Sequence, residues 1–190
     1  METHAHGQSA PRPKQTAWWG FGAALAGLAG LLCGAPAAIA ASLSPQELQV
    51  LTGAIAFMQP PPAGGSVAVV YAAADPASRQ DAEAIAAELG SGLKANGALL
   101  PAKLVEASAL AEGGFAVAIA AAGANGPSLG AAVRAAHLLC VTANLPAVQA
   151  GFCTMAISTD LRVQIVLNHA AAAASEIGFA AAFRMMLHEI

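Results

Sequence analysis

Phe115-Ala-Val-Ala-Ile-Ala-Ala-Ala-Gly-Ala-Asn-Gly-Pro-Ser-Leu-Gly-Ala-Ala-Val-Arg-Ala-Ala-His-Leu-Leu-Cys-Val-Thr142 decides the fold. It opens on Phe115 to Ala120, a continuous apolar run with no polar alternation, which marks a strand buried on both faces. Gly123-Ala-Asn-Gly-Pro-Ser128 turns the chain, and the spacing predicts a helix over Leu129 to His137. Leu138-Leu-Cys-Val-Thr142 is then a second buried strand. A strand, a helical crossover and another strand of this kind put the two strands parallel in one sheet.

The same alternation extends outward in both directions. Upstream, Val67 to Tyr71 is a short β run, and Asp75-Pro76 caps a helix. In that helix Ala82, Ile85, Ala86, Leu89 and Leu93 face one side, while Arg79, Asp81, Glu83 and Glu88 face water. Ala98 to Val105 is a weaker strand, interrupted by Pro101 and so expected at a sheet edge. Downstream, Pro146 to Ala150 makes a single turn, and Thr154 to Asn168 holds two β runs meeting at Thr159-Asp160. Ala170 to Ala174 is a strong helix former, and Phe179, Phe183, Met186 and Leu187 recur at helical spacing. These elements predict an α/β protein: residues 66–190 form a single three-layer α/β sandwich, with a mainly parallel sheet and a C-terminal hairpin plus helices. Alanine-rich layers bury little area per side chain, so helices must approach the sheet closely.

Residues 41–65 read as an N-terminal amphipathic helix and a Pro/Gly linker. Ser44-Pro45-Gln46-Glu47 is a capping box with proline at the first helical position. Leu48, Leu51, Ile55 and Met58 form one apolar stripe that must dock, and Gln59-Pro-Pro-Pro-Ala-Gly-Gly65 ends it.

Residues 1–40 are expected to be a signal peptide. Arg12 and Lys14 precede an uncharged stretch from Gln15 to Gln46 with its apolar centre at Trp18 to Leu32. Ala38-Ile39-Ala40 supplies small residues for cleavage behind Pro36, so the expected mature chain begins at Ala41 and is periplasmic. The alternative is a membrane anchor retained over residues 17–41, since roughly 20 apolar residues cross a bilayer. The glycines at 20, 22, 27 and 30, and Pro36, favour cleavage. Leu31-Leu32-Cys33 lacks the small residue of a lipid-attachment site, and no twin-arginine pair is present, so the general export route is expected.

Of eight Lys+Arg and eleven Asp+Glu, Arg12, Lys14 and Glu2 precede residue 41, leaving six cations and ten anions. The remainder is acidic and offers no basic stripe to nucleic acid.

Candidate sites follow from residue type and spacing. Cys140 and Cys153 stand on two strands expected to be neighbours, and an oxidising compartment favours a structural disulfide between them; the alternative is two buried thiols acting as small hydrophobes. Gly123, Gly126 and Gly130 surround a strand-to-helix turn but match neither G-x-G-x-x-G nor a phosphate loop, so no cofactor is expected. Asn125 and Ser128 could still contact a small ligand at the carboxyl edge of the sheet. His137, His169 and His188 lack metal-ligand spacing, so no metal is expected. Ser44, Ser78 and Ser128 sit in helix-start contexts and read as caps, and no G-x-S-x-G elbow exists. The chain is therefore read as a binding protein and not an enzyme. Phe179, Phe183, Arg184 and Met186 are the candidate partner-binding residues, with the Leu48 to Met58 stripe as the competing surface; core is the commoner reading of either stripe.

The strand Leu138-Leu-Cys-Val-Thr142, Gly151 ahead of Cys153-Thr-Met-Ala-Ile157, the return Arg162-Val-Gln-Ile-Val-Leu-Asn168 and the alanine helix leading into Phe179 resemble the C-terminal half of the YfiR-like periplasmic proteins. The resemblance covers residues 66–190 by element order and 138–190 by motif. It implies a small exported α/β domain, often a homodimer, that restrains an inner-membrane sensor or diguanylate cyclase in cyclic di-GMP signalling by binding its periplasmic part. Disulfides and envelope stress modulate that restraint in the family. This chain departs from the pattern in having only two cysteines after the expected cleavage, and in its tail Phe183-Arg-Met-Met-Leu-His188. The rival expectation is a periplasmic small-ligand-binding domain with its site at Asn125 and Ser128.

Overall fold

The computed structural model describes residues 42–62 and 64–190. The expected signal peptide, its cleavage site and the alternative anchor lie outside the described residues. Among the described residues no helix is long and apolar enough to cross a membrane.

Local chemistry sets the helix starts. The amide of Glu47 donates to Ser44 Oγ at 3.3 Å and the amide of Ser44 donates to Glu47 Oε2 at 2.8 Å, opening α1 (Pro45–Ile55) with the expected capping box. Glu47 Oε1 accepts the Thr159 amide at 3.1 Å, so the cap also ties the helix to a distant hairpin. After β1 (Met58–Gln59) and β2 (Ser66–Tyr71), Asp75 caps α2 (Pro76–Leu89) by accepting from the Ala77 amide at 3.0 Å. Asn96 and Gly97, both at positive φ, then join β3 (Leu93–Ala95) to β4 (Ala98–Leu100) in a two-residue hairpin.

The single strand expected over Ala98 to Val105 is thus two. Pro101 has no N–H to continue a ladder, so β4 turns to β3 while β5 (Ala102–Glu106) pairs with β2. A 3-10 turn, Ala107–Glu112, leads to β6 (Phe115–Ala120), α3 (Pro127–Ala135), β7 (Leu139–Thr142), α4 (Leu145–Gln149), β8 (Met155–Ser158) and β9 (Gln164–Leu167). The chain ends through α5 (His169–Ala174), β10 (Gly178–Phe179), α6 (Ala181–Arg184) and β11 (His188–Glu189).

Seven strands form one sheet in the order β11-β9-β8-β7-β6-β2-β5. The pairs from β5 to β8 are all parallel, and only the β8–β9 hairpin is antiparallel. Strand β2 has its successor β5 on one side and β6 on the other, so the sheet is doubly wound and reverses its growth between β2 and β6. Alternate side chains go to opposite layers. Val67, Val69, Val117, Ile119, Leu139, Val141, Met155 and Ile157 pack in one core with α1 and α2. Ala68, Ala118, Ala120, Cys140 and Ala156 share the other core with Leu129 and Val133 of α3 and Val148 of α4. The expected three-layer α/β sandwich is present, with large residues on one face and small ones on the other. Small residues allow the close approach that the composition demands: a Cβ on Gly130 of α3 would lie 3.1 Å from Phe152 Cα.

The N-terminal stripe docks as expected, with Leu48, Leu51, Ile55 and Met58 all buried in the core, so it is not the competing surface. One expectation is corrected. The tail is not one helix from Phe179 to Leu187. It is strand, one helical turn and strand, because β10 pairs antiparallel with β1 while β11 adds to the edge of β9.

Candidate functional site

Three features carry the candidate residues. The first is the cysteine pair. Cys140 lies in β7 and Cys153 just ahead of β8, adjacent parallel strands, and their sulfurs are joined in a disulfide with Cα atoms 5.0 Å apart. Both residues are buried against Val133 and Val148 on the small-residue face. The Thr154 amide donates to Cys140 O at 3.2 Å, so the bond caps a register already held by the backbone. A buried disulfide suits an oxidising compartment.

The second is a crevice of about 500 Å³ at the carboxyl ends of β2, β5 and β6, where the winding reverses. Asn125 and Ser128 line it together with Tyr71, Ala73 and Glu106. Gly123, at φ +77°, lets the β6 loop reach the α2 cap: a Cβ there would stand 2.6 Å from Asp75 Oδ2. The Tyr71 hydroxyl donates to Glu106 Oε1 and accepts from Arg79, both at 3.5 Å, and the Arg79 guanidinium sits 5.0 Å from the Tyr71 ring centroid. Tyr71, Arg79 and Glu106 were not singled out from sequence, where Tyr71 stood out only as the one tyrosine in the chain.

Ser128 does not cap α3: Gly126 is the N-cap and no side chain closes the helix start. Ser78 does not cap α2 either, its hydroxyl accepting the Ala72 amide at 3.0 Å instead. Asn125 Oδ1 is buried without a hydrogen-bond partner, while its Nδ2 makes only a 3.4 Å bond to Ala121 O. An unpaired buried acceptor costs about 1 to 3 kcal/mol. Asn125→Ala is therefore expected to leave stability unchanged or raise it by up to about 1 kcal/mol, measured by urea unfolding. A loss of more than that would mean the amide has a partner holding the loop.

The third is the C-terminal tail, where the four candidate partner residues separate. Phe179 and Phe183 are buried, with Phe183 stacked on Phe57 at 5.0 Å and tilted against Phe179 at 5.3 Å. They are core, closing the chain end onto the end of α1. Met186 is 66% exposed and Met185 83% exposed. Arg184 donates to both carboxylate oxygens of Glu189, at 2.7 and 3.0 Å. That hydrogen bond holds the Glu189 carboxyl below its ordinary value. Its contribution is present at neutral pH and fades as pH falls through the lowered value, and solvent keeps it small.

Met185 and Met186 precede β11 and Leu161 and Val163 precede β9, two neighbouring parallel strands. Leu161 is wholly exposed and Val163 largely so. The segments leading into these two strands thus each expose a pair of large apolar side chains. Among the described residues no three His, Cys, Asp or Glu side chains cluster to hold a metal.

These features define a disulfide-linked, doubly wound α/β protein with a crevice at its switch point and exposed apolar residues ahead of β9 and β11. Compared with known proteins, the sequence matches no family model and no curated protein.

Proposed function

We propose that this chain is an exported, YfiR-like regulatory protein that works by binding and not by catalysis, holding a membrane-bound sensor such as a diguanylate cyclase in one state. The observation that carries this reading is the exposure of Leu161 and Val163 ahead of β9 and of Met185 and Met186 ahead of its neighbour β11, since exposed large apolar side chains are what a partner surface covers. Methionines adapt to a partner's shape, and Arg162 stands between Leu161 and Val163 in the chain. The buried disulfide and the α/β architecture of residues 66–190 are compatible with this reading. Such a protein acts by population shift, preferring one conformation of its partner by a few kcal/mol.

The test is capture in the native envelope. Cross-linking followed by mass spectrometry should recover an inner-membrane protein with a periplasmic sensor region. A Met185→Asp/Met186→Asp double variant of unchanged melting temperature should lose about tenfold or more of that capture. Capture of only the chain itself, or equal capture by the variant, would overturn the reading.

A second reading has one specific observation behind it. In doubly wound sheets ligands bind outside the carboxyl ends of the strands where the winding reverses, and the crevice bearing Asn125 and Ser128 is at that place. On this reading the protein is a periplasmic small-ligand-binding domain.

A further inference from the structure

The described residues include three non-glycine positions at positive φ: Asn96, His137 and Glu176. Asn96 belongs to its hairpin turn, where asparagine is ordinary. His137 and Glu176 are different. Each stands immediately past a helix end that closes by the same two bonds. For α3, Leu138 N–H donates to Val133 O at 3.1 Å and His137 N–H to Arg134 O at 3.3 Å. For α5, Ile177 N–H donates to Ala172 O at 2.9 Å and Glu176 N–H to Ala173 O at 3.1 Å. Glycine is the usual residue at this left-handed position because a Cβ crowds the backbone there. At both helix ends the chain instead carries an ionisable side chain.

Those two side chains meet. His137 Nδ1 lies 3.7 Å from Glu176 Oε1, too far for a hydrogen bond, and both border a cleft of about 350 Å³. The cleft opens at the amino ends of β6 and β7, the end of the sheet away from the crevice. Its walls are Pro60, Pro61 and Pro62, the Phe115 position at the start of β6, and Ile177. Among the described residues no lysine or arginine lines it. The cleft therefore presents the Glu176 carboxylate and the His137 imidazole side by side over an apolar, conformationally stiff wall. Its size is in the range of small-molecule sites.

We propose that this cleft binds a small molecule carrying a protonated amine on an apolar body. The ammonium bridges Glu176 and His137, which a single –NH3+ with three donors can do. The apolar part lies against the prolines and Phe115. Left-handed backbone held by non-glycine residues persists where the side chains have work to do, and this pairing supplies that work.

The test uses the full chain, with 2-phenylethylammonium as probe and uncharged 2-phenylethanol as control, followed by amide chemical-shift titration. The amine is expected to shift Gly64, Ala116, His137, Leu138 and Gly178 saturably. The alcohol should bind about tenfold more weakly, and Glu176→Gln should weaken the amine by a similar factor. Glu176→Gly relieves the left-handed position and should keep or raise the melting temperature while losing the amine, which separates binding from folding. Equal affinity for amine and alcohol, unchanged binding by Glu176→Gln, or shifts absent from this cleft at the highest soluble amine concentration would each overturn the proposal.

Discussion

Leu51→Ala is expected to lower stability by about 2 to 5 kcal/mol, read as a fall in the urea midpoint at unchanged slope. Leu51 is fully buried, on a helix that packs against β3 and β8. Truncation removes apolar contacts and leaves a cavity, and the cost depends on how far the surroundings can collapse into it. Collapse is hindered here. The Ser44 cap and the bond from the Thr159 amide to Glu47 hold the helix start at 3.3 and 3.1 Å, and Phe57 beyond the helix end is stacked on Phe183. The effect therefore belongs in the upper part of that range. Unfolding should remain a single transition, because α1 shares one core with α2 and the sheet. Were the helix only a docked addition, the variant would show an early step for the helix and an unmoved main transition. That result would contradict the packing described above.

Replacing the cysteines as Cys140→Ala/Cys153→Ala is expected to cost about 3 kcal/mol, the loop-closure entropy of a bridge spanning a separation of 13 residues. For a chain of this size that is a fall of roughly 6 to 12 °C in melting temperature. Because Cys140 and Cys153 are almost completely buried, reductant should reach the bond only when the β7 to β8 region opens. Dithiothreitol added to the native protein should reduce it at the rate of that opening, and much faster once urea exposes it. Rapid reduction under native conditions without loss of fold would mark the bond as an exposed, exchangeable one, and the structural role would have to be abandoned.

The residues alone supported each of the two expectations in part. The cysteine pair was half legible: an oxidising compartment favours pairing and successive strands are commonly neighbours, but the separation of the two Cα atoms, which excludes two free thiols, is set by the sheet. The role of Leu51 was half legible too. Its stripe with Leu48 and Ile55 announces an amphipathic helix, but periodicity reports only that one face is apolar and not what covers it. The same limit misled at the tail. Phe179, Phe183 and Met186 match helical spacing, yet two of them are core and one is surface. Their neighbours are β1, β9 and Phe57, segments far away in the chain, and no local pattern encodes such pairing. The Asn96-Gly97 hairpin was available to sequence reading and was passed over because Pro101 made the whole stretch look like one poor strand.

For the site, Asn125 and Ser128 were placed at the sheet's carboxyl edge from the turn that contains them, and both line the crevice there. Tyr71, Arg79 and Glu106 join them only because β2, α2 and β5 converge. The cleft at His137 and Glu176 was out of reach in the same way, since left-handed φ at a histidine and a glutamate has no compositional signature.

What the sequence by itself determined is the set of local elements: the Ser44 and Asp75 caps, the buried strands around residues 67–71, 115–120 and 139–142, and the alternation that makes a doubly covered parallel sheet. These follow from forces acting within a few residues, namely cap hydrogen bonds, proline and asparagine backbone preferences, and hydrophobic period. Only the tertiary structure decided which strand stands at the switch point, which aromatic residues of the tail are buried, and which polar groups face one another across a cleft. Those outcomes depend on contacts between residues as far apart as Glu47 and Thr159, where the chain closes a long loop in exchange for one hydrogen bond and a shared core.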